Sequence, residues 1–315
     1  MASLKSIITG GRFYWHDAHR QIVQDAASVA ITALRSPDTI LIRAQSVWDD
    51  IVPKGNSNSP SWREDWMRAL KFATIPRPRP PYSMTWLEAA DQYLRFALLV
   101  QRIENISSLL AQNRVHPQIA EGIRQDAPAV LIQALIWHDF EGSACYDGNI
   151  FYWLDAQGVF VHSARDILRV ERLSEADRQK NLWIYRLRES WMLHTFARMN
   201  CANVQLVPIK GHRHRDDPVC SSVWHEIKVT SVPQLRRQHS TAAPDGEHHH
   251  VRFHWVRGHY ADYTKGAGLF GNPKLRAVFW IPEHRAGNEE LGTVISSYRV
   301  QGAQTPSRGD DSSDT

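Results

Sequence analysis

Residues 89–111 read AADQYLRFALLVQRIENISSLLA, and the periodicity of that run shapes the expected fold. Tyr93, Phe96, Ala97, Val100, Ile103, Ile106, Leu109 and Leu110 recur mostly at steps of three and four, the spacing that lines up side chains on one face of a helix. The spacing predicts one amphipathic helix over 89–111, with its stripe in the core. Upstream, every residue between Ile75 and Tyr82 is proline or arginine, which excludes a helix or an inner strand. That segment reads as an extended spacer, or as a ligand for a partner's aromatic groove. It leads into a strand-like run at 83–88.

Working outward, residues 15–34 have helical spacing and stop at Ser36-Pro37-Asp38. Residues 52–62 read as a loop and 62–72 as a second helix. Downstream, 130–137 is an apolar strand. A turn is expected at Asp147-Gly148-Asn149, and 149–154 pairs with 159–161 as a hairpin around Gln157-Gly158. A helix at 181–200 and a strand at 204–207, closed by Pro208, follow. After a basic linker at 210–217 come strand-like runs at 223–230, 251–256, 277–281 and 292–300, with a polar loop at 238–247.

The expected fold is α+β, or mixed α/β: helices packed on a mixed sheet, followed by a β-rich antiparallel C-terminal region. The expected organisation is a helical segment at 1–75, a mixed region at 76–209, a basic, histidine-rich β region at 210–300, and a disordered tail from 301.

Composition bounds the function. The chain has 315 residues, 43% hydrophobic and 22% charged, which suits a globular protein of one large domain or two ordinary ones. No apolar run is long enough for a membrane span, and the polar residues His16, Asp17, His19 and Arg20 argue against a secretory signal. Cys145, Cys201 and Cys220 are isolated and odd in number, which points to reduced thiols of the cytoplasm. Between Gln205 and Arg285 stand 12 Lys/Arg against 7 Asp/Glu, together with 10 of the 16 histidines. Such a basic face is either simply solvated or attracts nucleic acid and acidic proteins.

Three constellations carry possible chemistry. His212, His214, Cys220 and His225, and the triplet His248-His249-His250, supply metal-ligand types, but their spacing matches no zinc motif, so neither a metal nor a cofactor is expected. Asp216 or Asp217 with Glu226-Ile227-Lys228 resembles the acid-then-Glu-x-Lys core of metal-dependent nucleases; the same triplet also serves as an ordinary surface pair. The third is a repeat of strand-then-His/Arg/Gly. Arg257-Gly258-His259-Tyr260 with Tyr263 follows one strand, and His284-Arg285-Ala286-Gly287 follows another that contains Trp280. Arginine can bind a carboxylate or phosphate through two nitrogens, and tyrosine faces can stack on bases or peptide side chains. The alternative is a structural corner. There is no phosphate-binding Gly-x-x-x-x-Gly-Lys loop and no Gly-x-Ser-x-Gly elbow.

The order of segments resembles a widespread family of phage and plasmid proteins that includes the second type V-A anti-CRISPR protein. The resemblance runs from Pro80-Pro81-Tyr82-Ser83-Met84-Thr85-Trp86 through Met199-Asn200-Cys201-Ala202-Asn203 and Trp224-His225-Glu226-Ile227-Lys228. It is most specific at Val256-Arg257-Gly258-His259-Tyr260, Leu269-Phe270-Gly271, Trp280-Ile281-Pro282 and His284. The chain departs from the family's second cluster, where His-x-Arg-Gly is replaced by His284-Arg285-Ala286-Gly287. The resemblance implies a non-enzymatic, anti-CRISPR-like binding protein of a mobile element, acting in the bacterial host cytoplasm. Its implied partner is a host protein or a ribosome-associated nascent chain, or RNA. The expected binding residues are Arg257, Gly258, His259, Tyr260, Tyr263, Trp280, His284 and Arg285. The alternative expectation is the nuclease built on Asp217, Glu226 and Lys228.

Overall fold

The computed structural model describes residues 3–14, 20–51, 75, 78–90, 95–103, 105–111, 115–157, 160–167, 175–209, 223–231, 252–256, 258–286 and 288–293. In chain order the elements are α1 (Leu4–Thr9), β1 (Phe13–Tyr14), α2 (Arg20–Arg35), β2 (Ile40–Arg43), α3 (Gln45–Ile51), β3 (Met84–Ala90) and β4 (Arg95–Ile103). There follow α4 (Ile106–Ala111), α5 (Pro117–Asp126), β5 (Val130–Phe140), β6 (Ser143–Leu154), β7 (Phe160–Ile167) and α6 (Glu175–Met199). The chain continues with β8 (Val204–Pro208), β9 (Trp224–Val229), β10 (Arg252–Val256), β11 (His259–Asp262), β12 (Val278–Ile281), β13 (His284–Ala286) and β14 (Asn288–Thr293).

A sheet of nine described strands runs β1-β6-β5-β4-β3-β2-β9-β8, with β7 also paired to β6. It is mixed: β2 lies parallel to both β3 and β9, while β3-β4-β5-β6 is an antiparallel meander. The fold is therefore α+β, as the element pattern implied. Helices cover both faces. On one, α3 and α6 pack over Phe96, Leu98, Val100, Ile132, Ala134 and Ile136. On the other, α1 and α2 pack over Trp86, Ala97, Leu99, Leu135 and Trp137. Farther along that second face, Ile119 and Ile123 of α5 meet Leu131, Phe151 and Trp153.

The opening run is not one helix. It is the inner strand β4, followed after Asn105 by the short helix α4. The reason is that β4 is buried on both faces, with Phe96, Leu98 and Val100 on one side and Ala97 and Leu99 on the other. A strand covered on both sides reads as an unbroken apolar run, from which a helical subset can always be picked. The turn expected at Asp147-Gly148-Asn149 is also absent. Those residues lie inside β6, at an irregularity where Ile136 faces Gly148 but Trp137 faces Tyr146, leaving Asp147 as the extra residue of a bulge. Gly148, at φ 134°, supplies the backbone that the bulge needs.

Other expectations hold. Strands stand at 84–90, 130–140 and 204–208, the 143–154 and 160–167 strands pair antiparallel, and helices cover 20–35 and 175–199. The proline segment is built into the fold: the Tyr152 hydroxyl donates to the Pro78 carbonyl at 3.1 Å, and Asn200 Nδ2 donates to the Arg79 carbonyl at 2.7 Å. The loop at 52–62, the helix at 62–72, the linker at 210–217 and the tail from 301 lie outside the described residues.

The chain divides into two compact units. The first spans 1–240 and 258–282, and includes the antiparallel pair β11–β12. The second spans 241–257 and 283–315. In it β10 pairs antiparallel with β13 and parallel with β14, so this small sheet is not purely antiparallel.

Candidate interaction surface on the β11–β12 hairpin

The chemistry starts from α6, which from Tyr185 onward is buried nearly all round. A helix in that position must neutralise its charged residues internally. Arg188 Nη1 donates to Asp147 Oδ2 at 2.7 Å, and His138 Nδ1 lies 2.8 Å from the same oxygen. Burial pushes the Asp147 carboxyl up, but the hydrogen bonds and charges of His138 and Arg188 outweigh it and hold it at about 2. Cys145 stands beside them, and the donor atoms of His138, Cys145 and Asp147 lie within 4.8 Å of one another. These donor types suit a transition metal. The guanidinium on Asp147 Oδ2 already supplies the positive charge there, so the arrangement reads as a closed ion-pair network. All four residues are buried.

The other end of α6 fastens the hairpin. Arg198 is 1% exposed; its Nη1 donates to Asp50 Oδ2 at 2.6 Å, and its guanidinium lies 4.0 Å from the centroid of the Trp280 ring. The Tyr260 hydroxyl donates to the His194 carbonyl at 3.2 Å and lies 3.1 Å from His194 Nδ1, with the two rings stacked. Burial, with a smaller contribution from Arg198, lowers His194 to about 3, so its ring is neutral in the fold. Burial also raises the Tyr260 hydroxyl. Asn203, just after α6, acts as a surrogate strand: Oδ1 accepts from Trp280 N at 2.9 Å, and Nδ2 donates to the carbonyls of Trp280 at 2.8 Å and Thr230 at 2.9 Å. Tyr260 and Trp280 therefore face inward and hold the hairpin in place.

The connection at 263–277 mixes buried, half-buried and exposed residues. Leu269 is buried against Phe279 and Ile281 in a small core of the loop's own, with Tyr263 and Leu275 packed on it. Hydrogen bonds from Gly271 N to Gly268 O, Asn272 N to Leu269 O and Leu275 N to Asn272 O wind it tightly, at 2.9–3.1 Å. Gly268 is required: a Cβ there would stand 2.0 Å from the Asn272 carbonyl oxygen. The next residue but one, Phe270, turns to φ 58° and is 43% exposed. Lys265, Lys274 and Arg276 are exposed on the same loop, and no acidic residue occurs between Asp262 and Glu283.

The remaining expected residues are scattered. His259 is exposed on β11, and Gly258 and Tyr263 are partly covered. His284 and Arg285 lie on β13, in the second unit. Arg257 lies outside the described residues, as do Asp216, Asp217, His212, His214, Cys220 and His248-His249-His250. Glu226 and Lys228 are both exposed on one side of β9, with Arg43 opposite Glu226 across the ladder. His225 Nδ1 approaches the Leu41 carbonyl at 3.3 Å. The chain matches no family model, no curated protein and no solved structure.

Sequence reasoning gave no site role to Arg198, His194, Asn203 or Phe270, although Asn203 and Phe270 lie in stretches that carry the family resemblance. For the first three no local signal exists, because their partners are remote in sequence. Phe270 had one: an aromatic in a glycine-rich, acid-free run with three cations.

Proposed function

We propose that this chain is a non-enzymatic, anti-CRISPR-like binding protein of a mobile element. It acts in the bacterial cytoplasm on a host defence or translation-linked target, through a nascent peptide or a nucleic acid. The observation that carries the reading is the two-sided β11–β12 hairpin. Its inner side is pinned by Arg198, His194 and Asn203, while His259 on β11 and Lys265, Phe270, Lys274 and Arg276 of its connecting loop are exposed. A rigidly held, basic and aromatic surface suits recognition, because little order has to be imposed on binding. The family resemblance, strongest at 256–260 and 269–271, falls on or beside the same hairpin.

The test is affinity capture from bacterial lysate with the full-length protein, with and without RNase. A defined partner should be captured and should be lost when Arg257→Ala and His259→Ala are combined. If the doubly substituted protein keeps a native melting transition and the same partners, the reading falls. Incubation with RNA and DNA plus Mg²⁺ or Mn²⁺ should leave both intact; cleavage abolished by Glu226→Ala would replace the reading with a metal-dependent nuclease.

A further inference from the structure

We infer that Arg198 anchors a carboxylate-binding site that Asp50 closes from within the chain, a role separate from the partner surface proposed above. The first observation is unused hydrogen-bonding capacity. Arg198 is 1% exposed, and its Nε and Nη2 are buried with no hydrogen-bond partner among the described residues. Nη1 alone is answered, by Asp50 Oδ2 at 2.6 Å. The nearby Tyr260 hydroxyl is committed elsewhere, donating to the His194 carbonyl at 3.2 Å. Buried polar groups are nearly always paired, so two open donors on one buried guanidinium mark a place to look for a ligand. The guanidinium is a planar fork that grips both oxygens of one carboxylate through parallel N–H bonds. Asp50 engages it through one nitrogen.

The second observation is electrostatic. The titratable groups packed about the guanidinium are neutral, Asp50 excepted. Burial lowers His194 to about 3, with a smaller push from Arg198, and burial pushes the Cys201 thiol up to about 12 against the pull of Arg198. Burial raises the Tyr260 hydroxyl too, with Arg198 working against it. The Trp280 ring covers one face of the guanidinium, its centroid 4.0 Å away. The counter-charge is therefore Asp50, whose side chain is 51% exposed. Asp50 stands in the last turn of α3, the end of a helix at which a carboxylate is disfavoured. A half-wet carboxylate at the wrong end of its helix is a displaceable partner. When it turns out into water, an incoming carboxylate meets Nη1 and Nη2 together. Asp50 is then a built-in competitor, and the ligand is a carboxylate small enough to stand where that of Asp50 stands.

The experiment follows the Arg198 Nε–H resonance of the isotope-labelled, full-length protein, identified by its loss in Arg198→Lys. Sodium acetate is titrated in at an ionic strength held constant with sodium chloride. The resonance should shift saturably, with a Kd on the order of 10 mM for so small a ligand. In Asp50→Ala the same shift should need about tenfold less acetate, because the apparent affinity scales with the fraction of molecules whose site is open. That variant leaves the buried guanidinium without its counter-charge, so it should melt below the parent in chloride, and acetate should restore its melting temperature. Arg198→Lys keeps the charge without the fork and should gain nothing from acetate beyond what chloride gives. N-acetyl-alanine, which carries the carboxylate of a chain end, separates two sources of the ligand. Binding about tenfold tighter than acetate assigns the site to a peptide C-terminus, and equal binding assigns it to a free small carboxylate.

The assignment is overturned if the parent shows no saturable shift up to about 100 mM acetate, even where Asp50→Ala does, since the site would then be made by the substitution. It is equally overturned if Arg198→Lys gains as much from acetate as the parent, which would mark a general salt effect. Tighter binding of inorganic phosphate than of acetate by Asp50→Ala also overturns it, because the site would then suit a tetrahedral anion. None of these outcomes bears on partner capture from lysate, so the binding role proposed above stands or falls separately.

Discussion

Asn203 and Phe270 show how much one residue decides here. Asn203 satisfies both backbone groups of Trp280 and the Thr230 carbonyl with a single side chain. Asn203→Ala leaves the amide and carbonyl of Trp280 buried and unpaired, and should cost about 2–4 kcal/mol, read as a lower urea midpoint with unchanged slope. Phe270→Gly has the opposite expectation: relief of a left-handed non-glycine backbone, about 1 kcal/mol, offsets glycine's added freedom in the unfolded chain, so the melting temperature stays level or rises. Asp147 is the third case. Asp147→Asn removes the charge facing the buried Arg188 guanidinium and should cost about 3–5 kcal/mol in urea unfolding. Of these three only Phe270 announced itself in the sequence, since its glycines and cations are neighbours. Asn203 lies 77 residues from Trp280, and Arg188 lies 41 from Asp147, so neither pairing leaves a local trace.

Among the elements, β4 carries the lesson of the fold. Leu98 and Leu99 are adjacent and both fully buried, on opposite faces of the sheet. Leu98→Ala and Leu99→Ala should each cost about 2–5 kcal/mol in denaturant unfolding. A helix carrying the stripe Phe96, Ala97, Val100, Ile103 would leave one of the two largely exposed and its truncation nearly neutral. The misreading of 89–111 has a definite cause: periodicity reports the contrast between a buried and a wet face, and β4 has no wet face. Where one face stays partly wet, as in α2 with Val23, Ala26, Ala27, Ala30 and Leu34 buried and Ile22 exposed, the pattern reads correctly. The 151–161 hairpin was legible for a different reason, its turn residues. Part of α6 was legible too, although burial of Arg188, Glu189, Ser190 and Arg198 gives that helix no polar face from Tyr185 onward.

Across the whole molecule, the buried titratable groups set how stability depends on pH. His194 titrates near 6.5 in the unfolded chain and near 3 in the fold, so the unfolded state takes up the proton first. Its contribution is complete above about pH 6.5 and is lost as pH falls towards 3. Asp147, lowered from 3.8 to about 2, adds a second loss below pH 3.8. Glu88 works the other way. Burial raises it, against hydrogen bonds from Leu4 N and the Trp86 indole, so its ionisation costs stability as pH rises through its raised value. Urea midpoints measured from pH 7 down to about pH 5 should fall more steeply for the parent than for His194→Gln, which has no proton to take up. Equal slopes would show that His194 is not the neutral group described.

The sequence by itself determined the fold class, the absence of a long apolar run, the basic and histidine-rich character of 205–285, and most described elements that keep a polar face or a turn signature. Those properties are local sums over neighbours, and a chain carries them unfolded. Only the tertiary structure decided that 95–103 is a strand, that Tyr260 and Trp280 point inward under Arg198 and His194, and that Phe270 is left partly exposed. Each of these depends on what covers a residue's second face. That cover comes from segments far along the chain, and it exists only once they have packed.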